Sequence, residues 1–300
     1  MDEIVSLLDN IYDTEGGGIS EIKRIVALRG GYNRNLVFNT FDIYITECCT
    51  LRCDGCIVQT HYFQHPQHIP LNDIVRDVDI LMDNVDFVNY VHILGGEPFL
   101  YPYLDELIYW IRNSDILNHK IGYFNIITNG TIVPNQRVIK SLQGSNIGVY
   151  ISDYGEFSTK IDEIEDVCKN YHIRCLRLGK TVWFNGAQLL QIPTKNEDFI
   201  NKRFLECINK GNGCKFIRNG RFYYCPFLCN GEVLGLIPYS AQNSINLLSP
   251  EFNKEILANY LQSQRAVPGC AYCNGYGRQN IEDIIPAARQ LSKPKEYFHY

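Results

Sequence analysis

Three cysteines, Cys49, Cys53 and Cys56, in the run Glu-Cys-Cys-Thr-Leu-Arg-Cys-Asp-Gly-Cys constrain this chain more than any other feature. The C-x3-C-x2-C spacing offers three thiolates to one metal centre, whereas structural zinc sites and closed iron–sulfur clusters take four ligands. Three cysteines on a tight loop suit a cubane cluster with one iron left open for a small molecule. Just upstream, Phe41-Asp42-Ile43-Tyr44-Ile45-Thr46 alternates and is rich in β-formers, so it reads as a strand. The cysteine loop therefore follows the C-terminal end of a strand, where α/β barrels place their chemistry.

Strand and helix patterns alternate beyond that loop. Ile74, Val75, Val78, Leu81 and Met82 follow helical spacing behind Asn72 as N-cap. Leu104, Leu107, Ile108 and Ile111 mark a second helix, and Val138, Ile139 and Leu142 a third. Residues Phe157 to Tyr171 read as another, capped by Ser158. Strand patterns end at Leu94, Thr128 and Ser152, a fifth covers Ile173 to Leu178, and the Val182 to Ile192 region is expected to supply a sixth. Repeating βα units imply parallel strands joined by right-handed crossovers. From about residue 200 the pattern changes: Lys215 to Tyr224 reads as a hairpin turning at Asn219-Gly220. Pro250 to Leu261 and Ile281 to Leu291 read as helices.

Composition narrows the function classes. A formal charge of −5 with no Lys/Arg-rich block gives no reason to expect nucleic acid or an anionic membrane as partner. No apolar stretch approaches membrane-spanning length, and the first residues are acidic, so neither a secretory signal nor an anchor is expected. Twelve cysteines clustered in C-x3-C-x2-C and C-x2-C patterns favour metal binding in a reducing, cytoplasmic compartment over secreted disulfides.

The chain resembles the radical S-adenosylmethionine (SAM) superfamily at several points besides the cysteine loop. Val91-His92-Ile93-Leu94 runs into Gly95-Gly96-Glu97-Pro98, similar to that family's GGE motif at the end of its second strand. Phe124 to Thr128 runs into Asn129-Gly130, and Val149-Tyr150-Ile151-Ser152 closes a fourth strand. The resemblance implies that Cys49, Cys53 and Cys56 hold a [4Fe-4S] cluster and that Gly95, Gly96 and Glu97 hold the amino group of SAM. It further implies that Asn129 and Ser152 face the SAM ribose and carboxylate. Two glycines permit close backbone approach, and Glu97 has the charge to pair with an ammonium. One departure stands out. The family usually has an aromatic residue before its third cysteine, packed on adenine, whereas this chain has Gly55. Tyr62 or an apolar group at a later strand end is the expected substitute.

The fold implied is α/β, a partial (β/α)6 TIM-like barrel with a small C-terminal Twitch/SPASM-like iron–sulfur domain. An N-terminal extension over 1–36, a radical SAM core over 37–198 and an auxiliary [4Fe-4S] domain over 199–300 are the expected divisions. The C-terminal resemblance rests on Cys207 and Cys225, with Gly220 between them, followed by Cys270-Ala271-Tyr272-Cys273. In such domains these positions hold one auxiliary cluster. Physically, a hairpin stem and a C-x2-C knuckle close a four-thiolate cage, which leaves no open iron and suits electron transfer. A zinc ribbon uses the same four thiolates, and Cys214 competes with Cys207 for the fourth position. Cys48, Cys168 and Cys175 read as packed thiols, while Cys214 and Cys229 are either packed or hydrogen-atom donors to a substrate radical. His61, His65 and His68 read as an exposed loop, and Trp183 and Phe184 as packing.

The implied chemistry is reductive cleavage of SAM to a 5′-deoxyadenosyl radical, which then removes a hydrogen atom from an unactivated carbon. A flavodoxin- or ferredoxin-type donor is the implied reductant, and an auxiliary cluster would accept the second electron of an oxidation. The expected reaction is dehydrogenation or epimerisation of a carbohydrate-like small molecule, with modification of a ribosomally made peptide as the alternative. A metal-stabilised binding scaffold is the non-enzymatic alternative, distinguished by tight metal without SAM cleavage.

Overall fold

A computed structural model describes residues 36–179, 182–184, 188–190, 192–211, 213, 215–276 and 284–292. Residues 1–35 of the expected N-terminal extension, and Cys214, lie outside the described residues. Four parallel strands follow one another with helical crossovers: β1 (Val37–Tyr44), β2 (Phe87–Leu94), β3 (Ile121–Thr128) and β4 (Ile147–Asp153). A fifth, β5 (Cys175–Gly179), lies parallel at the edge beside β4. The helices between them are α1 (Leu71–Asn84), α2 (Leu104–Asn113), α3 (Asp115–Lys120), α4 (Gln136–Leu142) and α5 (Ile161–Asn170). Val91, Ile93, Phe124, Ile126, Val149 and Ile151 are fully buried in one cluster with Val78, Leu81, Leu107, Ile108 and Ile164 of those helices. Alternate residues of the same strands, His92, Leu94, Asn125 and Ile127, therefore form the opposite face, because side chains alternate along a strand.

The sixth parallel strand is not where the periodicity puts it. Among the described residues of the Val182 to Ile192 region, only Val182–Phe184 forms a strand, β6, and it pairs antiparallel with β10 (Ile284–Pro286) in a separate two-stranded sheet. The reason is connection length. β5 ends at Gly179 and β6 begins at Val182, whereas a parallel crossover takes a dozen or more residues. The parallel place is taken by β7 (Lys215–Arg218), which follows helix α6 (Glu197–Leu205) and lies on the far side of β1. β8 (Arg221–Tyr223) and β9 (Ser244–Asn246) extend the sheet antiparallel, giving the order β5-β4-β3-β2-β1-β7-β8-β9. The result is an α/β fold with an open, mostly parallel, partial TIM-like sheet rather than a closed barrel.

The β7–β8 turn has positive φ at both Asn219 and Gly220, as the Asn-Gly pair predicts. Helix α7 (Pro226–Val233) follows, and α8 (Lys254–Gln262) starts behind Asn253, whose side chain accepts from the Glu255 and Ile256 amides. Two expected caps differ. Pro70, not Asn72, precedes α1, and Ser158 lies before Lys160, the residue that caps α5. The Ile281 to Leu291 helix is also absent from its described part. Ile284–Pro286 is a strand and Gln290 bridges to Cys53, because β6 offers a pairing edge and Pro286 has no N–H for a helical bond.

Candidate active site and metal cages

The cysteine loop is held against the end of β2 by backbone hydrogen bonds. The Gly96 amide donates to Thr46 O at 2.7 Å and the Glu97 amide to Cys48 O at 2.8 Å. A Cβ at Gly95 would collide with Thr46 O, and one at Gly96 with Cys48 O and the Cys49 side chain. The two glycines are thus required by the approach of the loop itself. Gly96→Ala is expected to cost about 1–3 kcal/mol through overpacking, several degrees in Tm. Thermal denaturation and iron content on the variant measure both consequences.

Cys49, Cys53 and Cys56 line one cavity of about 270 Å³, together with Gly95, Gly96, Asn129 and Ser152. Each sulfur has a side-chain donor. Asn129 Nδ2 lies 3.6 Å from Cys49 Sγ, Gln290 Nε2 3.2 Å from Cys53 Sγ, and Thr60 Oγ1 3.5 Å from Cys56 Sγ. Burial pushes the Cys53 thiol up to about 12 and Cys49 higher still, so without a cation these groups are neutral thiols and metal binding releases their protons. Three thiols opening on a cavity fit a cubane cluster with one unprotected corner. Cys48 stands apart, its sulfur 3.6 Å from Pro66 O and 3.9 Å from His68 Nε2.

Glu97 does not line the cavity. Its carboxylate is fully buried, with Oε1 accepting from the Phe99 amide at 3.1 Å and Thr128 Oγ1 at 2.9 Å, and Oε2 from the Asn129 amide at 2.9 Å. Burial raises its pKa to about 7 although the three donors pull it down. Glu97 thus ties the ends of β2 and β3 together and sets Asn129, whose Nδ2 also donates to Thr50 Oγ1 at 3.0 Å. Ser158 makes a parallel tie, its hydroxyl donating to Asn129 O at 2.7 Å and Ser152 O at 3.2 Å.

Distant residues invisible in the local pattern complete the loop. The segment after β10 clamps it: the Asp54 amide donates to Arg289 O, the Arg52 amide to Gln290 Oε1 and the Leu291 amide to Arg52 O. Arg289 also pairs with Asp54. Gln290→Ala is expected to weaken cluster retention roughly 10- to 100-fold, as loss of a ligand's hydrogen-bond partner does. The rate of iron release to a chelator measures it.

Cys207, Cys225, Cys270 and Cys273 line a second, smaller cavity of about 50 Å³. Cys207 follows α6, Cys225 is the N-cap of α7 with its sulfur accepting from the Leu228 amide, and Cys270 lies within a 3-10 turn (Pro268–Tyr272) that Cys273 closes. Burial pushes Cys270 and Cys273 up to about 12 and Cys225 well above the usual thiol range, and neighbouring thiolates add to each shift. The buried guanidinium of Arg203, bonded to Cys270 O at 2.9 Å, opposes it. Four thiols beside one cation fit a fully ligated cluster. Among the described residues no three His, Cys, Asp or Glu side chains converge closely enough to hold a single metal ion. Cys229, one turn beyond Cys225, is fully buried and lines neither cavity. Of the three histidines, His65 and His68 are exposed, but His61 is buried against Tyr62. No helix of the described residues is long and apolar enough to cross a membrane.

Residues 43–153 match the model of the Radical SAM superfamily. No curated protein matches the chain. Among solved structures it is similar to native anSMEcpe with bound AdoMet and the Cp18Cys peptide, at 18% identity over 49% of this chain and 44% of that one, TM-score 0.39. It is also similar to Streptococcus suis SuiB bound to S-adenosylmethionine, at 24% identity over 47% and 33% of the two chains, TM-score 0.37. With BtrN in complex with AdoMet and 2-DOIA the identity is 12% over 84% and 100%, TM-score 0.45. The chain spans less than half the length of the first two. The matched span runs from Ile43 in β1 to Asp153 closing β4 and contains all three thiols of the open cage. Over that span, which includes the open cage, the chain is similar to the Radical SAM superfamily, a likeness that implies S-adenosylmethionine and a [4Fe-4S] cluster as cofactors.

Proposed function

We propose that this protein cleaves SAM reductively at the first cage and abstracts a hydrogen atom from a carbohydrate-like small molecule, oxidising or epimerising it. When bound, the cluster and SAM supply the electron transfer and the 5′-deoxyadenosyl radical. The chain's own part is to place and shield them. Cys49, Cys53 and Cys56 hold the cluster, Asn129 and Ser152 present polar groups to SAM, and the Gly95-Gly96 backbone fixes the loop. Glu97 acts behind that surface by orienting Asn129. On this reading residues 37–198 form the core and residues 199–300 an auxiliary-cluster domain, in which Cys207, Cys225, Cys270 and Cys273 hold an electron acceptor. A flavodoxin- or ferredoxin-type protein is the donor.

The carrying observation is the contrast between the two cages. Three thiols, each with its own hydrogen-bond donor, open on a cavity large enough for an organic ligand, while four others surround a small one. A neutral, hydroxyl-bearing substrate is supported by the sheet face one row below Leu94. There Asp42 Oδ1 and His92 Nδ1 lie 3.2 Å apart beside the carboxamide of Asn125, a row of hydrogen-bonding groups. Anaerobic incubation with SAM and dithionite is expected to release 5′-deoxyadenosine. A protein that retains iron and leaves SAM intact would instead be a scaffold.

A further inference from the structure

The residue before Cys56 is bare for a structural reason. Gly55 has φ +77°, a conformation side chains rarely adopt. A Cβ there would stand 2.7 Å from Ile285 Cδ1 and 4.0 Å from the six-membered ring of Trp183. Ile285 and Trp183 are cross-strand partners in the β6–β10 pair, so that small sheet lies directly on the cysteine loop at Gly55. The indole also lines the main cavity, where it meets Tyr154 edge-on at 5.5 Å between ring centroids and 88° between planes. Tyr62, by contrast, packs on His61 and does not line the cavity.

The indole is held there by more than its own contacts. The chain leaving β10 is hydrogen-bonded to Arg52 and Asp54 of the loop, so the strand pair and the cysteine loop are tied together just beyond the C-terminal end of Trp183's partner strand. Chemically, the cavity offers an aromatic wall beside the thiols and polar groups at the strand ends opposite. SAM has a matching division: a purine with two apolar π faces, and a charged methionine end.

We propose that Trp183 is the surface on which the adenine of SAM stacks, delivered from β6 to the cavity wall beside Gly55. This rests on the assignment of the main cavity to SAM. Stacking of a base on an aromatic side chain, lost on truncation to alanine, corresponds to about 5- to 150-fold in affinity. Trp183→Ala is therefore expected to weaken SAM binding by about that factor, and Trp183→Phe, which keeps a ring, by less than about threefold.

The chain has two tryptophans, Trp110 on α2 and Trp183, which makes the contact observable. In the cluster-loaded Trp110→Phe protein, without reductant so that SAM stays whole, SAM is expected to quench or shift the remaining indole emission. Methionine alone, lacking the purine, is expected to leave it unchanged. Calorimetry on the same samples gives the affinities, and thermal denaturation shows that Trp183→Phe is folded. SAM binding by calorimetry with unchanged Trp183 emission, or equal affinity for the Trp183→Ala and unmodified proteins, overturns the stacking role while leaving the cavity's assignment in place. Absence of SAM binding to the unmodified, cluster-loaded protein overturns both.

Discussion

Cys53→Ala is expected to abolish 5′-deoxyadenosine formation and to remove the first cluster's iron, while the second cage keeps its own. The loss should far exceed the roughly 10- to 100-fold that follows from removing a ligand's hydrogen-bond partner, because the sulfur itself is gone. Among the described residues the cavity has no spare thiol. Cys48, nearest in sequence, directs its sulfur toward Pro66 O and His68, and Cys229 is sealed in the core. Two thiolates then face a cluster that needs three, and the amide of Gln290 is left without the sulfur it approaches at 3.2 Å. Iron and sulfide assays on anaerobically purified protein, with chromatography of the nucleoside product, measure the effect. Retention of full activity by this variant would remove Cys53 from the ligand set.

The second large effect is expected at Cys225, where ligation and helix capping can be separated. Its sulfur accepts from the Leu228 amide at 3.4 Å as the N-cap of α7. Alanine there would forfeit both the thiolate and a cap worth about 0.5–2 kcal/mol. Serine keeps a capping oxygen and loses only the soft ligand. Cys225→Ser is thus expected to lose one cluster's iron and net oxidation of substrate, to hold its Tm within a few degrees, and to continue cleaving SAM. Iron counting and uncoupled 5′-deoxyadenosine formation report the two halves. Were the cage a zinc site, the variant would lose zinc and keep its iron unchanged.

These two cages were legible in sequence for different reasons. Cys49, Cys53 and Cys56 share one loop after one strand, so spacing alone brings them together. Cys207, Cys225, Cys270 and Cys273 come from three separated segments, and their convergence was readable only through resemblance to a family pattern. The Asn219-Gly220 turn was legible because positive φ at two successive positions is a local demand. What local pattern could not carry was long-range pairing. Nothing in Lys215–Arg218 says that it lies parallel to β1, and nothing in Gln290 says that it reaches Cys53. The one available signal for β6 was the short span after Gly179, which excludes a parallel crossover. Glu97 illustrates a further limit. Its charge suits an ammonium, but its oxygens are engaged by Phe99, Thr128 and Asn129, a fact that depends on where three backbone segments meet. Trp183, read as packing, stands in the cavity wall because β10 places it over Gly55.

The whole account turns on an iron corner at Cys49, Cys53 and Cys56 that no side chain occupies. Electron paramagnetic resonance of the reduced Cys225→Ser protein, which isolates that first cluster, tests it most directly. Adding SAM is expected to change the signal, as a new ligand on one iron must. A spectrum identical with and without SAM would show a centre already fully ligated, and would contradict the account.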